Sequence, residues 1–187
     1  TPLWTVTDES LRLNGRTSIA AGDLDDDGDP EVVAGRRAYE ADGEPLWTAE
    51  VPDGTPAVAQ FDDDPPPEVV LVASGNLYLL DGASGAVEWG PIAQPGGGRG
   101  GPPTVADFDG DGAPEIGVAG AASYSVYDPA APLDEAVLWS QETLDESSNA
   151  TGSSVFDFEG DGAAEVVYGD ECFTRVYRGS DGEVLLE

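Results

Sequence analysis

The sequence predicts an all-β protein, a β-propeller built of four-stranded antiparallel blades, with four blades present. Three observations carry this expectation. A unit of four short apolar strands recurs four times, a Trp recurs near the end of the unit, and 25 Gly and 15 Pro among 187 residues favour turns over long helices.

Each unit opens with a strand, an acidic loop and a second strand beginning at Glu. The four segments read SIAAGDLDDDGDPEVVAG (18–35), AVAQFDDDPPPEVVLVASG (57–75), TVADFDGDGAPEIGVAG (104–120) and SVFDFEGDGAAEVVYG (154–169). A third strand follows in RAYEAD, NLYLLD, SYSVYD and FTRVYRG, then a turn that the third unit lengthens to DPAAPLDEA (128–136). The fourth strand is PLWTAE, AVEWGP, AVLWSQ and finally EVLLE. Trp4, Trp47 and Trp89 lie 43 and 42 residues apart, Trp139 follows after 50, and Leu186 takes the Trp place after 47 more. This is the period of a propeller blade.

Residues 1–187 therefore read as one propeller region, with blades at about 5–48, 49–90, 91–140 and 141–187. A single twisted sheet cannot cover both of its faces, so the recurring Trp reads as a packing residue between blades rather than as a ligand platform. PLWT at 2–5 duplicates PLWT at 45–48, which predicts a surplus fourth strand ahead of the first blade and no closure of four blades into a ring. Residues 91–103 (PIAQPGGGRGGPP) and 140–152 read as connectors. The first holds no phosphate loop, since no Gly-Lys-Ser/Thr follows. The second holds Asn149-Ala150-Thr151, a glycosylation triplet of the kind that also arises by chance.

Charge excludes whole classes of function. The chain has 38 Asp and Glu against 7 basic residues, all Arg, for a formal charge of −31, with no Lys and no His. Nucleic acid and anionic membrane surfaces are thus not expected partners. No apolar run is long enough to span a bilayer, so membrane insertion is not expected either. Schiff-base chemistry is excluded with Lys, and the commonest general base with His. No leader is legible, which reads as a mature or excised form. Cys172 stands alone, which excludes an internal disulfide; it reads as a buried free thiol, with a bridge to another part of a parent protein as the alternative. Arg36, Arg37, Arg99, Arg175 and Arg178 read as surface ion-pair partners within an acidic shell rather than as an anion site.

The acidic loops carry the chemistry. In the first, Asp23, Asp25, Asp27 and Glu31 fall at places 1, 3, 5 and 9. The third repeats this with Asp107, Asp109, Asp111 and Glu115, and the fourth with Asp157, Glu159, Asp161 and Glu165. Gly28, Gly112 and Gly162 hold place 6, where a sharp turn needs positive φ. Alternate carboxylates in a tightly curled loop converge, and hard oxygen ligands of that number suit Ca²⁺. Place 7 would add a backbone carbonyl from Asp29, Ala113 or Ala163. About three calcium sites follow, the fourth loop fitting less closely because Glu159 is longer than Asp. Loop 60–68 is degraded: Gln60 replaces the first Asp, and Pro65-Pro66-Pro67 removes the Gly, so weak or no calcium is expected there. An EF-hand fails, because place 12 is Ala34, Val118 or Tyr168 in a β-like run.

The motif D-x-D-x-D-G-x-x-E, in DLDDDGDPEVV and DFDGDGAPEIG and with Glu at the second ligand place in DFEGDGAAEVV, resembles the FG-GAP/VCBS repeats of integrin α-type propellers. The resemblance runs through all four units. It departs in the Glu at place 9, the broken second loop and the count of four blades. It implies calcium-rigidified hairpins in a seven- or eight-bladed ring, as in large secreted bacterial proteins. The expected function is a non-catalytic, extracellular or cell-surface module for adhesion or for binding a protein or carbohydrate ligand. The partners would include the remaining blades of a parent chain or further copies of this one. A fragment of a propeller polysaccharide lyase or hydrolase, and a structural assembly unit, are the alternatives. The non-catalytic reading is favoured because 18 of the 38 acidic residues lie in the four loops and no motif marks a carboxylate outside them.

Overall fold

A computed structural model describes residues 4–6 and 18–187. Among these residues sixteen strands form four antiparallel sheets, each in sequence order. Blade I comprises β1 (Ile19–Gly22), β2 (Glu31–Ala34), β3 (Arg37–Tyr39) and β4 (Pro45–Thr48). Blade II comprises β5 (Thr55–Ala59), β6 (Glu68–Ala73), β7 (Asn76–Leu80) and β8 (Val87–Ala93). Blade III comprises β9 (Thr104–Ala106), β10 (Glu115–Ala119), β11 (Ser123–Tyr127) and β12 (Val137–Glu142). Blade IV comprises β13 (Ser153–Phe156), β14 (Glu165–Gly169), β15 (Thr174–Tyr177) and β16 (Val184–Leu186). Residues expected to be connector at 91–93 and 140–142 instead continue β8 and β12 along their partners, pairing Leu77 with Ile92 and Tyr124 with Gln141.

The alternation of each strand distributes side chains to two faces, and each interior face meets the next blade. Ala20, Val33, Ala38 and Trp47 of blade I pack on Val58, Val69, Leu71, Tyr78 and Leu80 of blade II. The other face of blade II, with Val70, Val72, Leu77 and Leu79, packs on Ile116, Val118 and Tyr127 of blade III. Blade III then sets Tyr124, Val126 and Trp139 against Val166, Tyr168 and Tyr177 of blade IV. Covered on both sides, β6 (EVVLVA) and β10 (EIGVA) are buried throughout.

The first strands follow one another around the inside: β1 beside β5, β5 beside β9, β9 beside β13. Among the described residues β13 does not reach β1, so the four blades form an open arc. The far face of blade IV carries Phe156, Val167, Val176 and Leu186 with no blade against it among the described residues. Phe156, Phe158 and Leu186 are each more than half exposed.

Two of the recurring Trp residues clasp the blade that follows. Trp47 donates its indole N–H to the carbonyl of Gly82 (2.6 Å), and Trp139 donates to Gly179. Their rings lie against Gly85 and Gly182, where a Cβ would stand 2.6 and 2.5 Å from the ring, so no other residue fits without a shift. Trp4 repeats the arrangement on blade I, donating to Ala41 (2.9 Å) beside Gly43. Of the surplus strand expected at 2–5, residues 2 and 3 lie outside the described residues, and Trp4–Val6 form no strand there.

Two expectations need correction. Cys172 is exposed, because the turn from Asp170 to Phe173 projects it beyond the end of the sheet; Asp170 accepts from the N–H groups of Cys172 and Phe173 (both 2.8 Å). The Arg residues divide. Arg175 pairs with Asp170 and Glu187, and Arg178 with Asp181 and Glu183, whereas Arg36 donates to the carbonyls of Ala49 and Val51 and Arg99 to that of Ser148. The segment 143–152 is organised by Asp145, which accepts from the Ser148 and Thr151 hydroxyls (both 2.7 Å). The Asn149 amide of the sequon is engaged with the carbonyls of Asp145 and Glu146.

Candidate metal centres in the blade hairpins

Each acidic loop joins the first two strands of its blade, and one contact recurs in all four. The Glu that opens the second strand turns back and accepts the N–H of place 2 through Oε2. Glu31 takes Leu24 N–H (2.7 Å), Glu68 takes Phe61 (2.6 Å), Glu115 takes Phe108 (2.6 Å) and Glu165 takes Phe158 (2.9 Å). This clamp closes the hairpin without an ion. It also accounts for a Glu buried in every unit, because a backbone donor satisfies one carboxyl oxygen in an apolar setting.

The remaining carboxylates are shaped by their own loops. Asp107 accepts from Gly110 (2.7 Å) and Gly112 (2.9 Å), Asp109 from Asp111 (3.1 Å), and Asp111 from Ala113 (2.8 Å). Asp23 accepts from Asp27 (3.1 Å) and Gly28 (3.0 Å), and Asp27 from Asp29 (2.9 Å). Asp157 and Asp161 make the matching bonds to Gly160, Gly162 and Ala163. Gly28, Gly112 and Gly162 adopt φ of 96°, 94° and 98°, the left-handed turn that place 6 requires. Asp29, Ala113 and Ala163 thus sit just past the turn, at the exit of the loop.

The loops differ in how far the carboxylates converge. In blade III, Asp107, Asp109, Asp111 and Glu115 each bring an oxygen within 4.8 Å of the others. Blade I gathers Asp23, Asp25 and Asp27 in the same way. Glu31 stands outside that group; its second oxygen, Oε1, is buried without a hydrogen-bond partner. Among the described residues, Asp157, Glu159, Asp161 and Glu165 of blade IV do not form such a group. The extra methylene of Glu159 carries its carboxyl to that of Glu165; this contact raises its pKa.

The degraded loop gathers a set that the sequence did not single out: Asp62, Glu68 and Glu88, the last from β8. Gln60 donates its amide to the carbonyl of Asp64, so a donor stands where the other loops present a carboxylate. Glu88 lies next to Trp89 in the sequence, but nothing local announces that β8 carries it to the loop of β5 and β6.

Electrostatics follow from burial and crowding. Glu115 has its pKa pushed up to about 7, chiefly by burial and then by Asp109 and Asp107, against the lowering effect of the Phe108 N–H. Glu31 and Glu68 are raised for the same leading reason. Asp157 is lowered, first by the N–H of Gly162. A cation in the blade III group would reverse the penalty on Glu115 by pairing with its charged form. The residues present therefore fit a hard divalent ion best in blade III and next in blade I: oxygen donors only, in a loop already curled around them.

Fold and loops together define a class, a β-propeller arc whose blades open with acidic hairpins. Residues 60–118 match the family model described as an FG-GAP-like repeat, so such a repeat is present in the chain. No curated protein matches the sequence. Among solved structures, the chain is similar to the V. cholerae biofilm matrix protein Bap1, with a TM-score of 0.73, 16% identity, and coverage of 90% of this chain and 54% of that one. It is also similar to rhamnogalacturonan lyase YesW, with a TM-score of 0.54, 20% identity, and 98% and 40% coverage. The Bacillus licheniformis rhamnogalacturonan lyase PL11 gives a TM-score of 0.51 at 21% identity, with 97% and 39% coverage. These likenesses establish the fold. The chain spans about half the length of the Bap1 chain it matches.

Proposed function

We propose that this chain is a non-catalytic, calcium-binding propeller module that works outside the cell in adhesion or in binding a protein or carbohydrate ligand. The observation that carries the reading is the convergence of Asp107, Asp109, Asp111 and Glu115 within 4.8 Å in a loop curled by Gly112. Four negative groups held that close call for a cation, and calcium outside cells is abundant enough to fill sites of modest affinity. Loops I and III would hold the ion through the residues named above, and loop IV more weakly, since Glu159 reaches toward Glu165. Likeness to a biofilm matrix protein supports an extracellular setting and an adhesive role. Further blades, from a parent chain or another copy, would cover the exposed face of blade IV.

Calcium titration of the chelator-stripped protein by calorimetry tests the reading. Binding that weakens in the order III, I, IV is expected, as read from single Asp→Ala variants. No heat at millimolar calcium would overturn it. The likeness to two rhamnogalacturonan lyases favours one second reading, a fragment of a polysaccharide lyase. Incubation with rhamnogalacturonan separates the two: retention without new unsaturated ends supports a binding module, and bond cleavage supports the lyase.

A further inference from the structure

Blades II and III meet differently from the other pairs. Trp89 holds the place of Trp47 and Trp139, but the turn it would clasp is replaced by 128–136, closed by Asp128 N–H to the Ala136 carbonyl (2.8 Å). The Trp89 indole N–H is buried with no hydrogen-bond partner. Beside it lies a cavity of about 420 Å³, within the size range of small-ligand sites. Phe61, Leu79 and Trp89 form apolar walls, and Pro129 and Ala130 of the lengthened turn close one side. The polar lining is Asp62, Glu68 and Glu88, and no basic side chain lines the cavity among the described residues. The two irregularities of the repeat, the triple proline in one blade and the long turn in the next, thus flank one cleft.

We propose that this cavity binds a small organic cation, an ammonium group seated between the aromatic walls and the carboxylates of Asp62 and Glu88. Aromatic faces and carboxylates both attract such a group, and anionic ligands are excluded by the same lining. A metal ion is the poorer occupant. The set offers three carboxylates where blade III offers four, and Gln60 turns an amide donor toward the loop where the other loops present a carboxylate. This inference goes beyond the calcium reading and does not depend on it, because the site sits at the hairpin that lacks the calcium pattern.

The test is calorimetric titration of choline into the full chain in calcium buffer. Choline supplies the ammonium group. One site is expected, weakened about tenfold or more in Glu88→Gln, a change at an exposed position that keeps the fold. The neutral isostere 3,3-dimethylbutan-1-ol should bind about tenfold more weakly than choline. Trp89→Leu should weaken choline about threefold through the lost aromatic wall. Absence of choline binding at about 10 mM, well above the concentrations such sites bind at, would overturn the proposal. So would equal binding of the neutral isostere. Competition between calcium and choline that Glu88→Gln abolishes would reassign the cavity to a divalent ion.

Discussion

The hairpins of blades II and III share a fold and differ in chemistry. Both close through the same clamp, Glu68 on Phe61 and Glu115 on Phe108, each at 2.6 Å. Beyond the clamp they diverge. Loop 107–115 turns through Gly112 and draws four carboxylates together, whereas loop 60–68 runs through three prolines and points Gln60 at its own backbone. The comparison separates two jobs that the motif merges. The Glu shapes every hairpin, and in blade III it also joins the Asp series in gathering the carboxylates that a cation site needs. A repeat that loses the second job keeps its blade, and the released loop becomes the wall of a cavity.

The largest expected effect comes from removing the residue that does both jobs. In calcium, Glu115→Ala should destabilise the protein by about 4 kcal/mol, combining a stranded buried N–H with the loss of ion binding. Glu68→Ala should cost only about 2 kcal/mol, the clamp alone. Urea unfolding in calcium reads the difference, and equal losses would mean that the two loops are equivalent.

Proton binding gives the next contrast. The pKa of Glu115 is raised to about 7 in the fold, so the native state of the metal-free protein holds a proton that the unfolded chain releases near 4.5. Stability of the chelated protein should therefore fall by up to about 3 kcal/mol as pH rises from 4.5 to 7. Saturating calcium should flatten that slope, and a Glu115→Gln variant should lack it. A chelated wild-type protein that gains stability over this range would contradict the assignment.

Asp111→Ala should cost about 2.7 kcal/mol at calcium one hundred times the dissociation constant, and little in chelator. Asp64→Ala, at the corresponding place of the degraded loop, should change stability by less than about 0.5 kcal/mol in either buffer. Smallest is the effect of one indole N–H. Trp139→Phe should lose about 1 kcal/mol with its bond to Gly179, while Trp89→Phe, with no such bond, should lose less. Thermal melts of the pair decide it.

Much of the fold is legible in the sequence, because a blade is a local object. Successive strands pair in order, so short apolar runs such as EVVLVA or EIGVA and the turn residues between them suffice to place each sheet. The calcium pattern is legible for the same reason: nine consecutive residues contain it. What escapes the sequence is how far particular side chains reach and what covers them. Glu88 joins Asp62 and Glu68 because β8 begins at the loop end of its blade, with Val87 opposite Leu80 and Leu80 opposite Val69, and no spacing rule links residues 26 apart. Glu159 satisfies the motif by letter, yet its length takes it to Glu165 instead of to a shared centre. Phe158 occupies the place of Leu24 and Phe108, both fully buried, but stays exposed because no following blade covers it among the described residues. Cys172 has the apolar character of a core residue and the position of a turn residue, and position decides.

The Trp clasps have a consequence for chain integrity. Trp139 lies before the segment 143–152, and its partner Gly179 lies after it, so the two sides of that segment are joined by packing as well as by peptide bonds. Covalent continuity and structural continuity are therefore separable at this point. A proteinase that cuts once near Ser147 should yield pieces that migrate together under native conditions and part only in denaturant. Each clasp also points one way, from a blade to its successor, so the arc has a grain. Among the described residues blade IV is gripped by Trp139 and grips nothing in return, which makes it the blade whose amide hydrogens should exchange first.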